Sequence, residues 1–231
     1  MTTPAGSDQR QVDLTDVSPA NSAVLVIDMS RDFIAPGAPM ECVEGRAMAK
    51  PLAALLARCR EVGVPVIYVN HLHREGGRDK GTLAHRFPTI RDGRALRAGT
   101  RGVEIWHELT PQPGDLVVEK IRQSGFTYTS LEAVLRELGV RNVIVSGVST
   151  GACVECTARD AVSRDFNVVF LSDGTASSGI RDLGWGPVDA ATLQRVFLTN
   201  FAYHFGRVAT IRQVTEALAV HAPRIASAAT T

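Results

Sequence analysis

The stretch Asn142 to Asp160, NVIVSGVSTGACVECTARD, changes its period part-way along. Val143, Ile144 and Val145 form an apolar, β-branched run of the kind that makes a strand covered on both faces, and Gly147 and Gly151 loosen the backbone that follows. From there Val154, Thr157, Ala158, Ala161 and Val162 recur at intervals of three and four, which describes one face of an amphipathic helix. A strand that turns sharply into a helix places Cys153 in the first helical turn. Unpaired backbone N–H groups and the positive end of the dipole there favour a thiolate and can hold an oxyanion. Cys153 is therefore either a nucleophile or a small buried core residue.

Working outward, the same alternation recurs. Ala23 to Ile27 (AVLVI) predicts a buried strand that ends directly on Asp28. Met48, Leu52, Leu55, Leu56, Cys59 and Val62 follow at helical spacing, with Cys59 on the core side. Val64 to Val69 predicts a second strand, opening into a long Gly-bearing loop, NHLHREGGRDKGTLAH. Leu116 to Glu119 predicts a third, ending on Lys120, and Thr129 with Glu132 reads as a capping box for a helix closed by Gly139. Asn167 to Leu171 is a further strand, then a helix from Val188 to Tyr203, a short strand from Arg207 to Ile211 and a last helix. Phe197, Phe201 and Phe205 lie four apart and are expected in the core. Strands alternating with helices, without internal repeat or linker, give one parallel α/β sheet with helices on both faces. The expected division is a polar arm over 1–22, one domain over 23–222 and a tail over 223–231.

The chain has 231 residues, and its 25 Lys and Arg against 24 Asp and Glu leave a formal net charge of +1. That balance offers nothing to nucleic acid or to a membrane surface. Cysteines at 42, 59, 153 and 156 form no disulfide scaffold, and the first residues lack the pattern of a signal peptide, so a reducing cytoplasm is the expected compartment. No apolar run approaches the roughly 20 residues needed to cross a bilayer.

In parallel sheets ligands bind beyond the carboxyl ends of the strands, where Asp28, Lys120 and Cys153 all fall. A carboxylate can take a thiol proton, and a lysine cation can lower the thiol pKa and neutralise the carboxylate. The alternative for Asp28 and Lys120 is a structural ion pair beneath the loops.

Four ordered motifs carry a resemblance: AVLVIDMSRDF around Asp28, GTRGVEIWHEL from Gly99, VVEKIRQSGFTYTSLE around Lys120 and VIVSGVSTGACVECTARDA around Cys153. Together they make the chain similar to the isochorismatase-like cysteine hydrolases, over about Ala23 to Leu218. That family includes nicotinamidases, N-carbamoylsarcosine amidohydrolase, biuret hydrolase and ureidoacrylate amidohydrolase. The resemblance implies a single-domain, Rossmann-like three-layer α/β/α sandwich with a mainly parallel sheet of about six strands. It implies Asp28 as base, Lys120 as its cationic partner and Cys153 as nucleophile. It also implies a cis peptide at Val148-Ser149, with the N–H groups of Ser149 and Cys153 as oxyanion hole. The expected activity is cleavage of a C–N bond in a small amide, carbamoyl or ureido compound, without a cofactor.

Members that cleave the vinyl ether of isochorismate resemble this chain around Lys120, Arg122, Ser124 and Phe126 but do not need the cysteine. Nicotinamidases resemble a metal-binding version with Asp-x-His after the second strand. Asn70, His71, Leu72 and His73 stand there instead, so His71 and His73 are a two-ligand remnant and no metal is expected. Phe33, His73, Arg74, Arg122, Phe126 and Arg181 are the candidates for substrate contact, the arginines because their fork suits a carboxylate. A homo-oligomer, dimer or tetramer, is implied by the same resemblance.

Two rivals come from other classes. Cys153 and Cys156 form a C-x-x-C after a strand, as a dithiol redox site would, although Cys156 falls on the expected buried stripe and that reading leaves Asp28 and Lys120 unexplained. A non-catalytic binding protein on the same fold is the other, because fold does not fix function.

Overall fold

The computed structural model describes residues 12–220. Six parallel strands form one sheet: β1 (Ser22–Ile27), β2 (Val66–His71), β3 (Leu116–Lys120), β4 (Asn142–Val148), β5 (Asn167–Ala176) and β6 (Arg207–Ala209), in the order β3-β2-β1-β4-β5-β6. The principal helices are α1 (Ala49–Val62), α2 (Leu131–Glu137), α3 (Glu155–Val162), α4 (Ala190–His204) and α5 (Ile211–Ala219).

The strands have buried residues on both faces, and their alternation sorts side chains between two cores. Val24, Val26, Val66, Tyr68, Ile144 and Val169 meet α1 and α5 through Leu52, Leu55, Leu56, Val214 and Leu218. Leu25, Ile27, Ile67, Val69, Val143 and Val145 meet α2, α3 and α4 through Leu131, Leu135, Val154, Ala158 and Phe201. The result is the expected three-layer sandwich, with hydrophobic burial on each side of one sheet.

The chain leaves β1 toward β2 and β3, then returns to place β4 on the other side of β1. That reversal opens a crevice at the carboxyl ends of β1 and β4. Gly147 lets the two ends close together: at φ +113°, an added Cβ would lie 1.9 Å from the Ile27 carbonyl oxygen.

Several elements differ from the sequence expectation. Residues 12–21 pack onto the domain through buried Leu14 and Val17, where periodicity was too short to register; residues 1–11 and the expected tail lie outside the described residues. β5 runs on to Ala176 because its end pairs with β4 beyond a register shift between Val145 and Gly147. The Thr129–Glu132 capping box does not form. Helix α2 starts one residue late, after Ser130, while the Thr129 hydroxyl donates to the Gly125 carbonyl (2.5 Å) and Glu132 pairs with Arg164 (3.1 Å). Phe201 is buried as expected, 4.8 Å from Phe170 between ring centroids, but Phe197 is only half-buried.

Candidate active site

β1 delivers Asp28 into the crevice at φ +54°, where it is fully buried. Burying a carboxylate without partners is prohibitive, and each oxygen has one. Oδ1 accepts the main-chain N–H of His71 at 2.8 Å, and Oδ2 accepts Lys120 Nζ at 2.8 Å. The lysine reaches it from the end of β3, and Nζ also donates to the Arg122 carbonyl at 3.1 Å. Asp28 and Lys120 are thus a solvent-free ion pair with hydrogen-bonded ends.

Cys153 closes the group from the far side. It sits in a wide turn over Thr150–Val154 rather than in the first turn of an α-helix, because Val154 N–H reaches back five residues to the Ser149 carbonyl (3.3 Å). The peptide bond between Val148 and Ser149 is cis. Ala152 and Val154 donate to the Ser149 carbonyl, and Gly151 donates to Ser177 Oγ at 3.2 Å. Gly151 has no room for a side chain, since a Cβ would stand 2.0 Å from the Phe197 ring.

The electrostatics differ from the simple thiolate expectation. Burial, then the Asp28 charge, pushes the Cys153 thiol well up, and Lys120 only partly opposes them. The resting thiol is protonated. Burial likewise raises Asp28 above the ordinary carboxylate value despite the Lys120 cation and the hydrogen bonds it accepts. Burial works against the Lys120 ammonium, but Asp28 and Cys153 outweigh it and raise its pKa, so it stays charged. A carboxylate of raised basicity beside a neutral thiol is equipped to take that proton at the moment of attack.

A carboxylate oxygen of Asp28, a ring nitrogen of His71 and Cys153 Sγ lie within 4.8 Å of one another, a donor set that suits a metal on chemistry alone. Lys120 already fills the cationic position at Asp28 Oδ2, so a metal there would face an ammonium at hydrogen-bond range of its own ligand. The residues do not fit one.

The other sequence candidates divide. Phe126 packs in the same core cluster as Cys153, with Arg164 over its ring at 5.0 Å. His73 is buried behind His71, ring centroids 5.0 Å apart, and donates its main-chain N–H to the Leu96 carbonyl at 2.6 Å. Phe33 is buried in the core on the opposite face of the sheet. Arg122 is engaged by the loop, donating to the carbonyls of Asp79 (2.7 Å) and Ile121 (2.6 Å), which its spacing from Lys120 could not reveal. Arg74 and Arg181 are exposed on separate loops. Cys156 is exposed as well, contrary to its expected place on the buried stripe, because the helix buries the face of Val154, Thr157, Ala158 and Ala161 and position 156 lies off it.

Sequence reasoning missed two residues that hold these pieces in place. Thr157 Oγ1 accepts from Gly125 N–H (2.9 Å) and donates to the Cys153 carbonyl (2.7 Å), tying the segment after Lys120 to the cysteine turn. Gln194 accepts from the Thr150 hydroxyl (2.6 Å) and donates to the Ser172 and Thr175 carbonyls, tying that turn to α4 and β5. Their spacing carries no signal. Thr157 reads as one more member of the helix face, and Gln194 as a surface residue, until their partners are known.

With this arrangement in view, residues 22–213 match the Isochorismatase domain model. The chain belongs to the isochorismatase family. Within the family it is 30% identical to the ureidoacrylate amidohydrolase RutB of Caulobacter vibrioides (strain CB 15), over 84% of this chain and 89% of that one. Among solved structures it is similar to a cysteine hydrolase from Pseudomonas syringae pv. phaseolicola 1448A, at 34% identity and a TM-score of 0.85, over 96% of this chain and 100% of that one. N-carbamoylsarcosine amidase from Thermoplasma acidophilum is more distant, at 26% identity and a TM-score of 0.67, over 83% of this chain and 96% of that one.

Proposed function

We propose that this isochorismatase-family chain is a cysteine-dependent amidohydrolase that cleaves a small amide, carbamoyl or ureido compound through a thioester. The protein is a hydrolase acting on non-peptide C–N bonds, in keeping with relatives that are amidohydrolases of ureidoacrylate and N-carbamoylsarcosine. One observation carries the cysteine mechanism: Asp28, Lys120 and Cys153 converge in a buried group, with the Asp28 carboxylate, of raised basicity, beside the thiol.

In the mechanism Asp28 accepts the proton of Cys153 as sulfur attacks the carbonyl carbon. Lys120 keeps Asp28 in position and compensates its charge. The N–H groups of Ser149 and Cys153 receive the oxyanion, and Asp28 returns the proton to the leaving nitrogen as the C–N bond breaks. Water, deprotonated by Asp28, then attacks the thioester; the acid leaves, and sulfur recovers its proton. No cofactor enters any step.

The vinyl-ether reading has no use for a thiol placed against the ion pair, and the dithiol reading needs Cys156 beside Cys153, whereas Cys156 is exposed. Trp185, at 98% exposed, and Tyr203, at 84%, suit a homo-oligomer, dimer or tetramer. No helix among the described residues is long and apolar enough to cross a membrane, and four unpaired cysteines agree with a cytoplasmic setting.

The deciding experiment measures ammonia release from N-carbamoylsarcosine, biuret, ureidoacrylate, maleamate and nicotinamide, with Cys153→Ala in parallel. Release from one compound that vanishes in the variant is the expected result. Full turnover by Cys153→Ala would overturn the mechanism.

A further inference from the structure

Among the described residues six buried side-chain atoms have no hydrogen-bond partner, and four of them lie between His71 and Asp79: His71 Nε2, both ring nitrogens of His73, and Asp79 Oδ1. Buried polar atoms left unpaired cost stability and call for an explanation. Asp79 Oδ2 accepts Arg74 N–H at 2.9 Å, but Oδ1 stops 3.6 Å from His73 Nδ1, beyond hydrogen-bond range. The row Asp79, His73, His71 therefore reaches inward with unsatisfied capacity, and its inner end is at the reacting centre. A ring nitrogen of His71 is within 4.8 Å of both Cys153 Sγ and an Asp28 oxygen. In the sheet His71 stands opposite Lys120, and its main-chain N–H is the group that holds Asp28.

What such a ring can do is narrow. Burial, then the Lys120 cation and the neighbouring His73 and Arg122, depresses its pKa well below the ordinary imidazole value, so it is neutral and keeps a lone pair. Lys120 and the backbone N–H groups of the cysteine turn donate, and Asp28, whose oxygens already accept from His71 N–H and Lys120, is the group that exchanges the reacting proton. A carboxamide or carbamoyl group brings N–H donors on the nitrogen side of its carbonyl. Beside Asp28, which handles the reacting proton, the neutral ring of His71 is a further acceptor at the centre.

We propose that His71 is a further catalytic residue, whose ring accepts a hydrogen bond from the substrate nitrogen that will leave. This rests on the amidohydrolase reading above and deepens it. With one N–H held by His71, the nitrogen lone pair turns toward Asp28. Asp28 has taken the proton from the Cys153 thiol as the S–C bond formed; it passes that proton to the nitrogen, the C–N bond breaks and the amine departs. His71 gains and loses no proton. His73 and Asp79 back the ring and continue the polar lining toward the 74–81 loop.

The test does not need the natural substrate. The purified full chain is alkylated at Cys153 with iodoacetamide, which carries two N–H donors, and with N,N-dimethyl-2-iodoacetamide, which carries none; each rate is divided by that of free glutathione. The wild type is expected to prefer the primary amide by about tenfold, the order of one hydrogen bond. His71→Leu is expected to reduce the preference to less than about twofold, and His71→Asn, which retains an acceptor, to restore it. An indifferent wild type overturns the proposal whether or not the variants fold, and so does an undiminished preference in His71→Leu. Stoichiometric divalent metal in the wild type, lost in His71→Leu, would also overturn it by giving the ring a different ligand. Failure of the amidohydrolase reading is seen separately, as ammonia release that survives Cys153→Ala.

Discussion

The carboxyl ends of β1, β3 and β4 and the outer surface of α4 use opposite kinds of residue in opposite kinds of place. At the strand ends, charged Asp28 and Lys120 are sealed from water and each polar end is met. Around α4, large apolar side chains face outward: Trp185 in the preceding loop, Val196 and Tyr203 on the helix, with Phe201 the residue buried beneath it. Both arrangements carry a cost in an isolated chain, one for desolvating charge and one for wetting hydrocarbon. The first is offset inside the chain by geometry. The second has no internal offset among the described residues, and the proposed oligomer rests on it.

The largest expected effect breaks the first region outright. Cys153→Ala should lower turnover of any identified amide by about 10⁴-fold or more while leaving the melting curve nearly in place, since the removed atom belongs to the chemistry and not to a stabilising pair. Lys120→Met should strand a buried carboxylate and destabilise the fold by about 3–5 kcal/mol in urea titration. Asp28→Asn combined with Lys120→Met should recover much of that loss. A double variant as unstable as the single would show that packing, not charge, holds the strand ends.

The pH dependence sharpens the same region. Activity requires ionised Asp28, whose pKa burial raises above its ordinary 3.8, so kcat/KM should fall as pH drops through a value above the usual carboxylate range. Alkylation of Cys153 should be slow at neutral pH and still rising at alkaline pH, because burial pushes the thiol up. A thiol that reacts fully at pH 6 would contradict the neutral resting state.

The α4 side is tested by Trp185→Ser together with Tyr203→Ser, which should shift sedimentation toward a smaller species with the fold retained. Unchanged sedimentation would leave those side chains as isolated surface residues. The smallest effect is expected from Cys156→Ser. Turnover should stay within about twofold and stability within about 0.5 kcal/mol, as at an exposed position away from the ion pair. A large loss there would revive the dithiol reading.

The strand ends were legible because each reactive residue follows an apolar run. AVLVI stops on Asp28, LVVE on Lys120 and VIV leads to Cys153 within one turn, so chain order alone put them on one edge of one sheet. Legibility failed where a side chain's partner is remote. The hydroxyl of Thr129 donates to Gly125 and accepts from Leu131 N–H while Glu132 turns away to Arg164, so no capping box closes, and Arg122 is engaged by the Asp79 carbonyl. His71 looked like half of a metal pair until Asp28, Lys120 and Cys153 closed around it.

The sequence by itself determined the alternation of strands and helices, the parallel sheet and which residues reach its carboxyl edge, because period and burial are local properties of a run of side chains. Only the tertiary structure decided that β4 lies beside β1, that the thiol rests protonated and that a ring nitrogen of His71 lies within 4.8 Å of its sulfur. Those outcomes depend on which charges and acceptors residues 43 and 92 positions apart in the chain bring into the same dry space.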